Sequence, residues 1–471
     1  MKDRYQGHAE TAHCKEVGDI QSSKSGKIGL RDIRENLKQP WLLALLFVAG
    51  IPLFPEYIAP VLAGGALLAA YFDAKKRQRQ VMIGALGKVI LVYIAYMAFG
   101  LLYTPHFLST LSTVGMWAVM FLVYLAITTV LTDRSRLDTA LFCISLVAGL
   151  AGLIGCVQYG LRAFLGLDIS LQFWRFIDQV VFEWLPLKLL PITTDLRVSS
   201  TFNNPNIFAE YLVMVIPFLS YYAFSGRRTG ARVLCRCCLL AAVGGVAFSF
   251  SRGCYLSLLV IALIFTVANI RKIMLIIVTA ASALLLIPES VLARLFSVTG
   301  MDASVSERLD IWEAGLHTIG QDLLFGMGAG VDNTWDMLLR HGINAPHMHN
   351  LPLQLLAEGG VIALGILLLA GWRLLRGGVD MLHHSRDSRM MGVVFIAFVA
   401  AFCMDGMVDF PLLTPKLVGI FLMVLALGDA AGKLYLDQAM QPLTDTAPFS
   451  RIARFIRKHR EKAYANMPLE K

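Results

Sequence analysis

Charge is scarce in this sequence. Asp, Glu, Lys and Arg make up 16% of its 471 residues, and 56% are hydrophobic. Soluble domains carry about 25% charged residues, so the shortage excludes an ordinary soluble enzyme. The first 39 residues lack an apolar h-region, and no cleavable signal peptide is expected. There is no fixed-period repeat. No Asp-x-Asp pair or similar carboxylate cluster offers an evident seat for a divalent metal, so neither metal nor cofactor is expected. The eight cysteines are scattered. Cys235, Cys237 and Cys238 group beside Arg232 and Arg236 without further spaced ligands, which fits reduced structural thiols in a cytoplasmic loop better than a metal site. A net charge of +9 could point to nucleic acid. The basic residues, however, sit in short clusters between apolar runs, so the partner they imply is the membrane and not nucleic acid.

What is abundant is apolar sequence in runs of about 20 residues, recurring from Trp41 to Asp429. The expected fold is all-α: a polytopic membrane bundle of about twelve spans with both termini inside. Residues 1–39 read as a polar cytoplasmic tail, 40–432 as the membrane domain, and 433–471 as a basic tail on the inner leaflet. The clusters at Lys75–Arg79, Asp133–Arg136, Arg227–Arg236 and Arg373–Arg389 read as cytoplasmic loops. Residues 161–204 mix aromatics with charges and read as an interfacial segment on the outer face. The largest extramembrane loop is 288–350. Within it Ser304-Val-Ser-Glu307 reads as a capping box, followed by a helix whose apolar face is Leu309, Trp312, Leu316 and Ile319. The glycines at 326, 328 and 330 read as the turn that ends this helix, not as a phosphate cradle. The span interiors read as poor in charge, with Lys88 the main exception.

The stretch Asn344-Ala-Pro-His347-Met-His349-Asn350 stands at the mouth of an apolar run ending near Trp372. Imidazoles at a membrane boundary are costly to desolvate and easy to titrate. On the same outer face the topology places Arg197, Arg252 and the start of the loop helix, with Glu307, Arg308 and Asp310. Arginines are expected to be scarce at membrane mouths on this face, so they imply an anionic partner. Guanidinium forks match phosphate oxygens, and a lipid diphosphate keeps its phosphates at that depth. Plainer readings stand beside this one. Arg252 could be a snorkelling anchor, Arg197 could pair with Asp195 or Asp178, Arg308 could pair with Asp310, and His349 could be an interfacial or capping histidine. Asp405 and Asp409 read as capping or packing groups, with a proton relay as the alternative. Together, arginines for a diphosphate and a histidine for a hydroxyl proton are the minimum for glycosyl transfer from a lipid diphosphate.

Three patches resemble the bacterial O-antigen ligase and polymerase superfamily: Arg197 followed by Thr201-Phe-Asn-Asn-Pro-Asn-Ile-Phe-Ala-Glu210, then Ser251-Arg252-Gly253, then His349-Asn350 with Gly360-Val-Ile-Ala363 after it. The span pattern with a late outer loop agrees over nearly the whole length. The resemblance implies a GT-C-like fold in the bacterial inner membrane with the site facing the periplasm. It also implies inverting, metal-independent transfer of a glycan from undecaprenyl diphosphate to a lipid A–core or other glycan acceptor. By that likeness His349 is the base, Arg197 and Arg252 hold the diphosphate, and His347, Arg308 and Asn350 are helpers. A polymerase and a protein O-oligosaccharyltransferase share these features. A transporter of the lipid-linked sugar is the alternative of another class.

Overall fold

In lipid no water is present to satisfy backbone N–H and C=O groups, so long apolar runs fold as helices. The computed structural model describes residues 39–167, 197–225, 229–268, 303–320 and 322–446. It is an all-α bundle: α1 Pro40–Gly50, α2 Ala59–Lys76, α3 Ala85–Phe99, α4 Phe107–Val130, α5 Arg134–Leu165, α6 Pro205–Ser225, α7 Thr229–Ser249, α8 Arg252–Ala268, α9 Ala303–Ile319, α10 Val331–Leu339, α11 Leu351–His384, α12 Arg386–Gly406 and α13 Pro415–Leu436. The one two-stranded ribbon among the described residues pairs β1 Met82–Ile83 with β2 Gln441–Pro442. Nine helices among the described residues are long and apolar enough to cross a membrane, and α1 and α8 are shorter apolar helices. The remaining expected span, 273–287, lies outside the described residues, as do both chain tails and most of the interfacial segment.

Local signals start and stop these helices where the chemistry requires. Asp133 caps α5 by accepting from the Arg136 N–H at 3.0 Å. Ser385 and Ser388 form a reciprocal capping box at the start of α12. Thr414 precedes Pro415 at the start of α13 and accepts from the Leu417 N–H. Almost every side chain of α13 is buried, and it forms the axis of the bundle.

Contacts between distant helix ends define two faces. At one, Arg136 bonds Asp73 at 3.0 Å, Arg134 approaches Asp387 at 3.4 Å, and the Arg134 guanidinium lies 4.7 Å from the Tyr435 ring centre. At the other, the starts of α6, α11 and α13 meet the ends of α7 and α12.

Several expectations need correction. The α11 helix does not end near Trp372; it continues to His384, so Arg373 and Arg376 sit on the helix and the connection to α12 is Ser385 alone. Cys235, Cys237 and Cys238 lie on α7, not in a loop, and Cys238 packs against Gly149 of α5. Helix α9 begins at Ala303, so Ser304 stands inside it. Its buried face is Ile311, Ala314 and Ile319, while Leu309 and Leu316 are exposed. Both faces of α9 are apolar, and periodicity cannot choose between them.

The three glycines do not end α9. They belong to a loop stitched onto a break in α11, where Gly360 takes φ 62° and ψ −166°. Such a break frees backbone groups, and four of those beside it are met from outside the helix. Met327 N–H donates to Ala357 O at 2.8 Å, Gly328 N–H to Glu358 O at 2.9 Å, the Tyr96 hydroxyl to Gly359 O at 2.8 Å, and Val361 N–H to Leu323 O at 2.9 Å. Irregular backbone at membrane depth is tolerated where protein supplies the partners in this way. Gly326, Gly328 and Gly330 all take positive φ, which lets the loop approach so closely.

Candidate active site

The site grows from the short segment between α10 and α11. Met348 is fully buried in a small core with Ile311, Ala314 and Met337, so the residues on either side of it are held in place. Its carbonyl accepts from the Trp312 indole at 2.9 Å, and its N–H donates to the Gln354 side chain at 2.9 Å. His349 then takes a left-handed conformation, φ 46°, uncommon for a residue with a Cβ. Asn350 caps α11 by accepting from the Leu353 N–H, and its amide donates to Met407 O, each at 2.9 Å. Asn350 therefore ties the histidine segment to the turn after α12.

That turn carries Asp409, the centre of the site. His349 Nδ1 lies 2.9 Å from Asp409 Oδ1, and His347 Nε2 lies 3.8 Å from the same oxygen. The two imidazole ring centres are 4.1 Å apart. The Phe410 N–H donates to Oδ1 at 3.0 Å. On the other oxygen, the Asn206 amide donates at 3.2 Å and the Arg308 guanidinium approaches to 3.6 Å. Arg308 also donates to Val408 O at 2.8 Å. Asn206 in turn accepts from Arg197, whose Nε donates to Ser249 O at 2.8 Å. The Val198 N–H bonds Phe248 O at 3.1 Å, which holds the Arg197 segment against the end of α7. Arg252 is the first residue of α8, just past a turn made with Phe250 at φ 55°. Its neighbours Gly253 and Cys254 pack on Val408 and Asp405.

Five of the six residues singled out in the sequence thus meet around one carboxylate, directly or through one intermediary, and Arg252 stands on the turn beside them. Arg308 pairs with Asp409 and not with Asp310. Burial alone would raise the Asp409 carboxyl, but the close approach of His347, the His349 hydrogen bond and the charges of both rings outweigh it and hold the group well below the usual carboxylate range. Burial pushes the His347 imidazole below its ordinary value. The His349 side chain is 26% exposed and that of His347 11%, so His349 presents the accessible ring.

Sequence reasoning missed Asp409 as an anchor, although its position at a turn between two apolar runs was visible. It also missed Asn206, Trp312 and the fully buried Lys416. The Lys416 ammonium donates to Thr201 O at 2.8 Å and lies 4.3 Å from the Phe202 ring centre, fixing the loop that leads to Asn206. His347, His349 and Asp409 also each offer one ligand atom, all within 4.8 Å of one another, a grouping able to hold a metal ion. The absence of a carboxylate motif in the sequence did not reveal it, because the carboxylate comes from a different helix end.

Residues 237–368 match the family described as O-Antigen ligase. Comparison with curated proteins gives no match. The matched stretch runs from α7 into α11 and contains Arg252, Arg308, His347, His349 and Asn350; Arg197, Asn206 and Asp409 join it from the flanks. With the apolar helical bundle around it, that match supports the O-antigen ligase superfamily for this chain and, broadly, a function of the ligase or polymerase type.

Proposed function

We propose that the protein moves a glycan from undecaprenyl diphosphate to a hydroxyl of a lipid A–core acceptor, on the periplasmic face of the bacterial inner membrane, by an inverting displacement without a metal. The observation that carries this reading is the His349–Asp409 pair at 2.9 Å, joined through Asn206 to Arg197. A carboxylate can only accept, so it keeps a proton on Nδ1 and leaves Nε2 free to act as base. The acceptor O–H gives its proton to Nε2 while its oxygen attacks the anomeric carbon. The bond from that carbon to the phosphate oxygen breaks, and the diphosphate leaves with the electron pair. A single displacement inverts the anomeric centre. Arg197 and Arg252 hold the diphosphate and offset its charge, which removes the need for a general acid. Arg308 and His347 support Asp409, and Asn350 fixes the segment.

A transporter would carry charge along mid-membrane. Among the described residues, the buried ionisable groups of the spans fall toward one face or the other, apart from Glu358 at the α11 break. Asp73, Arg136 and Asp429 sit toward one face, Glu210, Asp405 and Lys416 toward the other, and Glu358 at the α11 break. This distribution supports an enzyme. The test is a reconstituted assay with purified undecaprenyl-diphosphate glycan and separate acceptors. Attachment to lipid A–core supports a ligase; growth of the lipid-linked glycan identifies a polymerase, and attachment to protein an O-oligosaccharyltransferase. Full transfer by His349→Ala would overturn the base role, and unchanged donor binding by Arg252→Ala would remove the diphosphate role.

A further inference from the structure

A cavity in the described bundle lies at the end opposite His349. It has a volume of about 590 Å³ and is enclosed by α11, α12, α13, the start of α3 and the segment 438–440. Cavities of ~300–1,000 Å³ suit small ligands or the head of a larger one. Arg373 and Arg376 line it, one helical turn apart on α11, roughly 20 Å beyond the Gly360 break at ~1.5 Å per residue. Among the described residues neither guanidinium has a hydrogen-bond or ion-pair partner.

Among the described residues neither carboxylate of the lining forms an ion pair with them. Asp429 is occupied by the Tyr124 hydroxyl and by the Leu86 N–H at 3.0 Å and the Gly87 N–H at 3.3 Å. Asp380 is exposed at the rim. The wall between the arginines and the lipid is apolar. Trp372 is 59% exposed and Leu369 43%, in line with the outward-facing Leu368. Exposed tryptophan beside arginine is typical of the headgroup level of a bilayer. A cationic rim joined to an apolar wall open to lipid fits an amphiphile whose head is a phosphate and whose tails stay in the bilayer.

We propose that this cavity binds the headgroup of an anionic phospholipid from the leaflet opposite the active site. Arg373 and Arg376 take the phosphate, and Trp372 and Leu369 lie against the glycerol and the first methylenes. The site is separate from the glycan-transfer reading and does not depend on it. Gly377 lines the cavity, and a Cβ built there meets nothing within 4 Å, so a larger side chain can grow into the space without disturbing the helix.

The experiment uses the full chain in lipid nanodiscs. Lipid retention is read by native mass spectrometry, and melting by tryptophan fluorescence. Phosphatidylglycerol is expected to stay bound and to raise the melting temperature above that in pure phosphatidylcholine. The double variant R373Q/R376Q is expected to lose about tenfold or more in phosphatidylglycerol retention, from two cations near a lipid surface. Gly377→Leu, which leaves both arginines in place, is expected to lose retention by filling the cavity, while its melting in phosphatidylcholine is unchanged or raised. Retention equal to the unaltered protein in both variants would overturn the site. Equal protection by phosphatidylcholine would overturn the role of charge. Equal protection by inorganic phosphate would show a soluble anion site in place of a lipid one.

Discussion

Replacing Asp409 with asparagine keeps the side chain's shape and removes its charge, and the surroundings dictate how the amide sits. The Oδ2 position faces two donors, the Asn206 amide at 3.2 Å and the Arg308 guanidinium at 3.6 Å. An oxygen must stay there, because an amide NH₂ pointed at a guanidinium is unsatisfied on both sides. The NH₂ of the introduced amide then takes the Oδ1 position, 2.9 Å from His349 Nδ1. It donates to Nδ1 and forces the imidazole proton onto Nε2, the nitrogen that accepts the hydroxyl proton in the proposed mechanism. The same tautomer error in a serine–histidine–aspartate triad costs about 10⁴ in kcat, or about 5.5 kcal/mol at ~1.36 kcal/mol per decade. The Phe410 N–H, 3.0 Å from Oδ1, loses its acceptor as well, which opposes this orientation and sets a lower bound. The expected fall in kcat is therefore about 10³–10⁴-fold, with the donor KM changed by less than about threefold. The assay is transfer from purified lipid-linked glycan in detergent, with melting measured in parallel to separate misfolding from lost chemistry. A well-folded D409N protein with kcat within about threefold of the unaltered enzyme would refute the dyad and the tautomer argument with it.

Three further outcomes follow from the same geometry. Gly360→Ala places a methyl 2.2 Å from Leu324 O at φ 62°; left-handed strain of about 1–2 kcal/mol and overpacking of about 1–3 kcal/mol predict a loss of roughly 2–5 kcal/mol, read by melting. Gly371→Ala, whose added Cβ meets nothing within 4 Å, is the control and should be neutral or slightly stabilising. Burial holds the folded-state His347 imidazole below its ordinary value, so between about pH 6.5 and that lower value the unfolded chain binds more protons. Stability is full above this window and falls as pH drops through it; the melting temperature should decline from pH 7.5 to 5.5, and His347→Gln should flatten part of that slope. The depressed Asp409 carboxyl acts in a separate window, keeping its contribution until pH falls below about 3.8. Chelation with EDTA should leave transfer unchanged, whereas added Zn²⁺ should inhibit by capturing His347, His349 and Asp409; loss of activity in EDTA would assign the cluster to a resident metal.

The spans were legible because twenty apolar residues in a row leave the backbone no alternative to helix, and the Lys/Arg clusters between them mark one face. His349 was legible for a local reason: it precedes a cap residue and a glycine at fixed spacing in one continuous stretch. What was hidden is pairing across distance. Asp409 lies 60 residues beyond His349, and beside a helix end it looks like any capping carboxylate. Arg308 has Asp310 two residues away, yet i and i+2 point to different sides of a helix, so its carboxylate had to come from elsewhere. The same reasoning, applied to every polar group that topology sends to the same end of the bundle, narrows the search: a half-buried guanidinium needs an anion, and the turn after α12 supplied one. The break at Gly360 was hidden for the opposite reason. Glu358-Gly359-Gly360 sits inside an unbroken apolar run, and hydropathy does not register a positive φ. Its only trace was the glycine-rich loop 326–330, which has no local purpose until the carbonyls of Ala357 and Glu358 are seen to need donors. That stitch bears on the chemistry too. It frees α11 from one straight axis, so the segment Leu351–Gly359 can orient for His349 while Val361–His384 orients for the bilayer.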